Sequence, residues 1–147
     1  MLRELAHASY APSLLPLCIA TLDFHEQCLK YGLDDGRTLF VVDHDGHNVG
    51  GCGLHHFIWG PKDICWASWF FVAPEFRQPT VALSMLRGLF REARLRGFGR
   101  LYVETPANDP DYARVAAYLP RAGFTHEASV RDFYAPDVDQ LIFLLKL

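Results

Sequence analysis

The sequence predicts a mixed α/β fold, with a mostly antiparallel central sheet of about six to seven strands flanked by about four helices. Three observations predict it. Runs rich in β-branched and aromatic residues recur between turn signals, at 38–42, 48–58, 64–73, 125–134 and 140–147. Segments with apolar residues at helical spacing alternate with them, above all 80–96. And 69–104, WFFVAPEFRQPTVALSMLRGLFREARLRGFGRLYVE, reads strand, turn, helix, strand, which is long enough for a right-handed crossover between parallel strands.

Taken in order, residues 2–6 read as a short strand. Two short helical patterns follow within 11–33, broken near Pro16 and Asp23, with Leu14, Leu15, Cys18, Ile19 and Leu22 in the first and Phe24, Cys28 and Tyr31 in the second. Asp45-Gly46 is a hairpin turn signal between 38–42 and 48–58, and Gly60-Pro61-Lys62-Asp63 turns the chain into 64–73, whose length suits a central strand. In the helix after Pro79, Ala82, Leu83, Leu86, Leu89, Phe90 and Ala93 form one apolar face, with Arg87, Arg91 and Arg94 opposite. Gly97 and Gly99 stop it before the strand 100–104. Asp109, Pro110 and Asp111 mark the start of a helix running to about Leu119, and 125–134 with 140–147 close the sheet as an antiparallel pair.

A chain of 147 residues fits one domain, 1–147, with room for a sizeable core. Half of it is apolar, yet no run approaches the ~18 residues of a membrane span, and the first ten residues do not read as a signal peptide. The expectation is a soluble, cytoplasmic protein without a membrane partner. A net charge of -3 argues against general nucleic-acid binding. Cys18, Cys28, Cys52 and Cys65 lack the dense spacing of a disulfide scaffold and are expected reduced and buried. His44, His47, His55, His56, Cys52 and Cys65 are metal-ligand types without paired ligand spacing, so no metal site is expected. A helix N-terminus beside a strand end, with Arg77 near it, points instead to a local anion site.

The element order, together with LFVVDHDGHNVGG, FFVAPEFRQPTVA, RLYVET and RAGF, resembles the GNAT N-acetyltransferase superfamily over nearly the whole chain. The resemblance implies an N-acetyltransferase that moves an acetyl or other acyl group from acyl-coenzyme A to an amine of a small molecule or a protein N-terminus, by direct attack in a ternary complex. The alternative is a catalytically silent module that binds coenzyme A or a partner. Acetyl-CoA would be the donor, with no metal, an unidentified amine acceptor and a possible homodimer.

Carried over residue by residue, the family's phosphate loop falls on Arg77, Gln78, Pro79, Thr80, Val81 and Ala82, with Thr80 where glycine is usual. The backbone of Phe71, Val72 and Ala73 would pair with the pantetheine arm like an added strand, and Asn108 stands near the position of a family asparagine. Amine acylation needs a base for the ammonium proton and a group that protonates the leaving thiolate. The resemblance assigns the first role to Glu104, with His56 as a second candidate. The second role falls to Tyr118, one residue before the position, occupied here by Leu119, where many relatives carry the tyrosine.

Overall fold

A computed structural model describes residues 1–10, 12, 14–108 and 112–147. Its elements are α1 (Leu2–Ser9), α2 (Leu15–Lys30), β1 (Arg37–His44), β2 (His47–His55), β3 (Ile64–Val72), α3 (Pro79–Leu95), β4 (Arg100–Pro106), α4 (Ala113–Tyr118), β5 (Thr125–Ala135) and β6 (Val138–Lys146). Short 3-10 turns occupy Pro74–Phe76 and Leu119–Ala122. The strands form one sheet in the order β1-β2-β3-β4-β6-β5. Every neighbouring pair is antiparallel except β3 and β4. Among the described residues there are thus six strands and four α-helices, as the sequence predicts. None of those helices is long and apolar enough to cross a membrane.

Two N-terminal expectations are corrected. Residues 2–6 are not a strand but most of α1, because Leu2, Leu5 and Ala6 lie at i, i+3 and i+4 and dock as one helical face against Phe71 and Leu39. The region after it is not two helices broken at Pro16 and Asp23. Pro16 sits in the first turn of α2, where its missing N–H has no helical partner to lose, and the helix continues unbroken to Lys30. Asp23 stays on its surface and pairs with Arg3 of α1 at 2.7 Å. The expected helix start at Asp109, Pro110 and Asp111 lies outside the described residues.

The sheet is sandwiched. On one face α3 lays Val81, Met85, Leu89 and Ala93 against Cys52, Leu54, Cys65, Leu101 and Phe143, joined by Leu119 and Phe124 from the α4 side. On the other face α1 and α2 bury Ala6, Cys18 and Leu22 against Phe71, with Leu39 and Trp69 at the rim. Side chains alternate along β4, so with Leu101 on the α3 face, Tyr102 and Glu104 point to the α1 and α2 face. All four cysteines are free thiols buried in these layers.

Gly51 explains how α1 comes so close to β2. A Cβ there would stand 2.5 Å from the Phe71 ring and 2.8 Å from Leu2 Cδ2, so a side chain at this position would have to push back the ring end of Phe71 and the tip of Leu2. A buried tie fixes α2 to the start of β1. Asp35 binds His25 Nδ1 at 2.9 Å and Arg37 Nη1 at 3.1 Å. Burial alone would push the Asp35 carboxyl up, and these bonds outweigh it and hold the group below the usual carboxylate range.

Candidate active site

The parallel ladder between β3 and β4 has only three rungs, Ile64 to Arg100, Cys65 to Leu101 and Trp66 to Tyr102. Beyond them β3 stays on β2 as far as Val72, and β4 stays on β6 as far as Pro106. The two strands therefore part, and an opening runs between their C-terminal halves. Its closed end is marked by the rings of Trp66 and Tyr102, stacked with centroids 5.0 Å apart.

A bulge accompanies the parting. Gly51 pairs with Phe71 and Gly53 with Ser68, so two residues of β3, Trp69 and Phe70, oppose the single Cys52. Such an insertion bends a strand and re-aims its backbone. Trp69 has φ 44°, a left-handed conformation that costs an L-residue of this size roughly 1–3 kcal/mol and persists only where the surroundings hold it. Tyr10, the residue that caps the C-terminus of α1, does the holding. Its hydroxyl donates to the Phe70 carbonyl at 3.3 Å, and its ring meets those of Trp69 and Phe71 edge-on at 5.6 and 5.2 Å.

After the bulge the alternation of the strand decides what the edge offers. Ala73 donates its N–H to Val49 O at 2.9 Å and so faces β2; Val72, one residue earlier, turns its N–H and C=O toward the opening. The Val72 carbonyl is taken by Arg77 Nε at 3.1 Å, while Arg77 Nη2 bonds the Ser9 carbonyl. The Val72 N–H points the same way, into the opening.

Across the opening stands Glu104, two residues beyond the last rung on β4. Gln140 Nε2, on a nearly buried residue of β6, donates to Glu104 Oε2. Tyr134 of β5 completes the group through the same glutamine. Burial raises the Glu104 carboxyl above its ordinary value and the Gln140 bond only partly offsets it. Burial, with the charge of Glu104, pushes the Tyr134 phenol up to about 12. A carboxyl held above its ordinary value and open to solvent on the α1 and α2 face is suited to take a proton from an amine.

The other predicted residues are less concentrated. The side chains of Phe71 and Ala73 are buried, leaving backbone as what that segment presents. Arg77, Gln78, Pro79 and Thr80 lie exposed at the start of α3, where Gln78 is the N-cap and no side chain, including that of Thr80, caps the helix. The amides of Val81 and Ala82 bond Gln78 O, at 3.1 and 3.2 Å, and the Val81 side chain belongs to the core. Arg77, expected at the phosphates, is drawn back to β3 and α1. Asn108 donates its side-chain amide to Asp137 O at 3.2 Å and so secures the β5–β6 turn.

Tyr118 is the last residue of α4, and the chain tightens into a 3-10 turn at the buried Leu119, where Pro120 follows. His56 does not join Glu104. Because β2 runs antiparallel to β3, its C-terminal end lies beside Trp66, away from the open end. The His56 amide bonds Gly36 O at 2.9 Å, its ring lies 5.8 Å from Phe98, and it lines a cavity of about 210 Å³ with Thr38, Leu54 and Arg96. Tyr10, Tyr134 and Gln140 were not among the expected residues. Among the described residues no group of three His, Cys, Asp or Glu side chains converges on a metal-sized site.

Residues 2–124 match the model of the acetyltransferase (GNAT) family. The chain belongs to that family. A curated relative, the uncharacterized N-acetyltransferase YjgM of Escherichia coli (strain K12), is 32% identical over 72 residues, which is 49% of this chain and 43% of YjgM. The chain thus spans under half the length of that relative. Among solved structures, a GNAT-family protein from Desulfovibrio desulfuricans superposes with a TM-score of 0.83 at 21% identity, over 99% of this chain and 89% of the other. A GNAT-family acetyltransferase from Elizabethkingia anophelis with acetyl-CoA bound gives a TM-score of 0.65 at 14% identity, over 85% and 82%. At these identities the structural likeness establishes the GNAT fold.

Proposed function

We propose that this GNAT protein is an acetyl-CoA-dependent N-acetyltransferase whose acceptor amine enters from the α1 and α2 face. The observation that carries the reading is the β3–β4 opening with the Val72 N–H on one side and Glu104 on the other. In this reading the thioester lies along β3, its carbonyl oxygen toward the Val72 N–H. Glu104 takes a proton from the acceptor ammonium, directly or through one water. The amine nitrogen then bonds to the acyl carbon, and the C=O pair moves onto oxygen near the Val72 donor. The pair on oxygen then re-forms the C=O as the C–S bond breaks with its electron pair on sulfur. The sulfur takes a proton from Tyr118 or from water, and the second proton on the nitrogen passes to that donor or to water, leaving a neutral amide and free thiol. The acceptor is a primary amine of a small molecule or of a protein N-terminus, and the paired rings of Tyr10 and Trp69 on the β3 side, with Tyr134 beside Glu104, favour one with apolar or aromatic character.

The test is thiol release on mixing with acetyl-CoA and a panel of amines. Turnover is expected in the wild type and a loss of about 10²-fold in kcat for Glu104→Gln, in keeping with removal of a general base. Undiminished turnover in Glu104→Gln rules out the base assignment. A second reading, a catalytically silent module that binds coenzyme A or a partner, is favoured in its partner-binding form by one observation: Arg77 is engaged with Val72 and Ser9 and the α3 start offers few free donors for phosphates. Absence of thiol release with every amine would select it.

A further inference from the structure

Tyr10 touches all three residues of the bulged segment. Its ring meets Trp69 on one side and Phe71 on the other, and its hydroxyl reaches the carbonyl of the residue between them. Its own N–H is tied back to Ala6 O at 3.0 Å, and the carbonyl of its neighbour Ser9 is held by the same Arg77 that holds Val72 O. The end of α1 is therefore fastened at both ends of the stretch 69–72.

This fastening has a chemical result. The Phe70 carbonyl is bonded by Tyr10 and the Val72 carbonyl by Arg77, so both acceptors are occupied and the Val72 N–H is the group turned to the opening. An oxygen acquiring negative charge is stabilised by N–H groups and opposed by a carbonyl dipole. We propose that Tyr10 is a positioning residue for acyl transfer, fixing the Phe70 carbonyl and the left-handed Trp69 so that the β3 edge keeps the Val72 N–H aimed at the thioester oxygen. The inference rests on the acyl-CoA reading above. Tyr10 exchanges no proton with the substrate; burial raises its phenol far above the ordinary value, so it remains a donor.

Tyr10→Phe removes the hydroxyl and keeps the ring. The expected result is a fall of about tenfold in kcat at saturating acetyl-CoA and amine, a KM for acetyl-CoA within about twofold of wild type, and faster amide hydrogen exchange at Phe71 and Val72. Because glycine adopts positive φ without strain, the bulge needs less holding in a Trp69→Gly background, and there the same Tyr10→Phe change should cost less kcat. An unchanged kcat in Tyr10→Phe overturns the inference. So does a loss confined to KM, or an equal loss in both backgrounds. A wild type that releases no thiol with any amine defeats the acyl-transfer reading itself and takes this inference with it, an outcome distinct from an active wild type that is indifferent to Tyr10.

Discussion

Glu104 works against two influences of unequal size, burial that raises its carboxyl and a Gln140 hydrogen bond that lowers it. The ionised form is the one that accepts a proton, so the acidic limb of kcat/KM should lie above the ordinary carboxylate range. Gln140→Leu removes the lowering influence and leaves burial unopposed. The acidic limb should then move to higher pH, with kcat at alkaline plateau changed less than kcat/KM at pH 6; a limb that stays put would separate Gln140 from the reaction. Glu104 was legible as a carboxylate at a strand end. Gln140 and Tyr134 were not, because which residue of one strand meets which of the next is set by register, and β5 departs from simple register between His126 and Ala128 and again between Val130 and Ala135. Arg77 was legible as a cation near a helix start, yet nothing local in RQPTVA says that it turns back to a carbonyl five residues earlier.

At the scale of elements, the clearest departure from expectation was α1. LRELAHAS is short enough for an apolar pattern to be read either way, and what decides for helix is the neighbour it packs on, Phe71 and the bare backbone at Gly51. Gly51→Ala places a methyl where Phe71 and Leu2 already stand. The expected cost is about 2 kcal/mol, a typical overpacking penalty, which for a chain of this size lowers Tm by roughly 6 °C by calorimetry. An unshifted Tm would mean that α1 yields without loss. By contrast β1, β2 and α3 were readable from local chemistry alone. The hairpin turn has Asp45 at φ 54° and Gly46 at φ 80°, the paired positive angles that Asp-Gly signals, and α3 buries Leu86, Leu89 and Ala93 of the face that its apolar spacing marked, while Val81 and Met85, outside that face, are buried in place of Ala82, Leu83 and Phe90. The break in the β3–β4 ladder was unreadable, since both strands continue as good strand sequence past the point where they cease to pair with each other.

Across the whole molecule, the β1-β2-β3 meander, the parallel crossover to β4 and the antiparallel β5–β6 pair followed from alternation, crossover length and the family resemblance, while the insertion of β6 between β4 and β5 did not, and the site had to be assembled from α1, β3, β4, β5 and β6 at once. Such a site has no footprint in any single window of sequence. Cys18 and Cys65 are fully enclosed and Cys28 and Cys52 nearly so; burial pushes the Cys18 thiol up to about 11 and those of Cys52 and Cys65 up to about 12. Thiolates are the reactive form, so exchange with an outside disulfide or thiol is suppressed twice, by access and by protonation. With Ellman's reagent the native protein should titrate close to zero sulfhydryls within minutes and four after denaturation. A catalyst that liberates coenzyme A at every turnover would then be spared from forming mixed disulfides with its own product as the surroundings become oxidising.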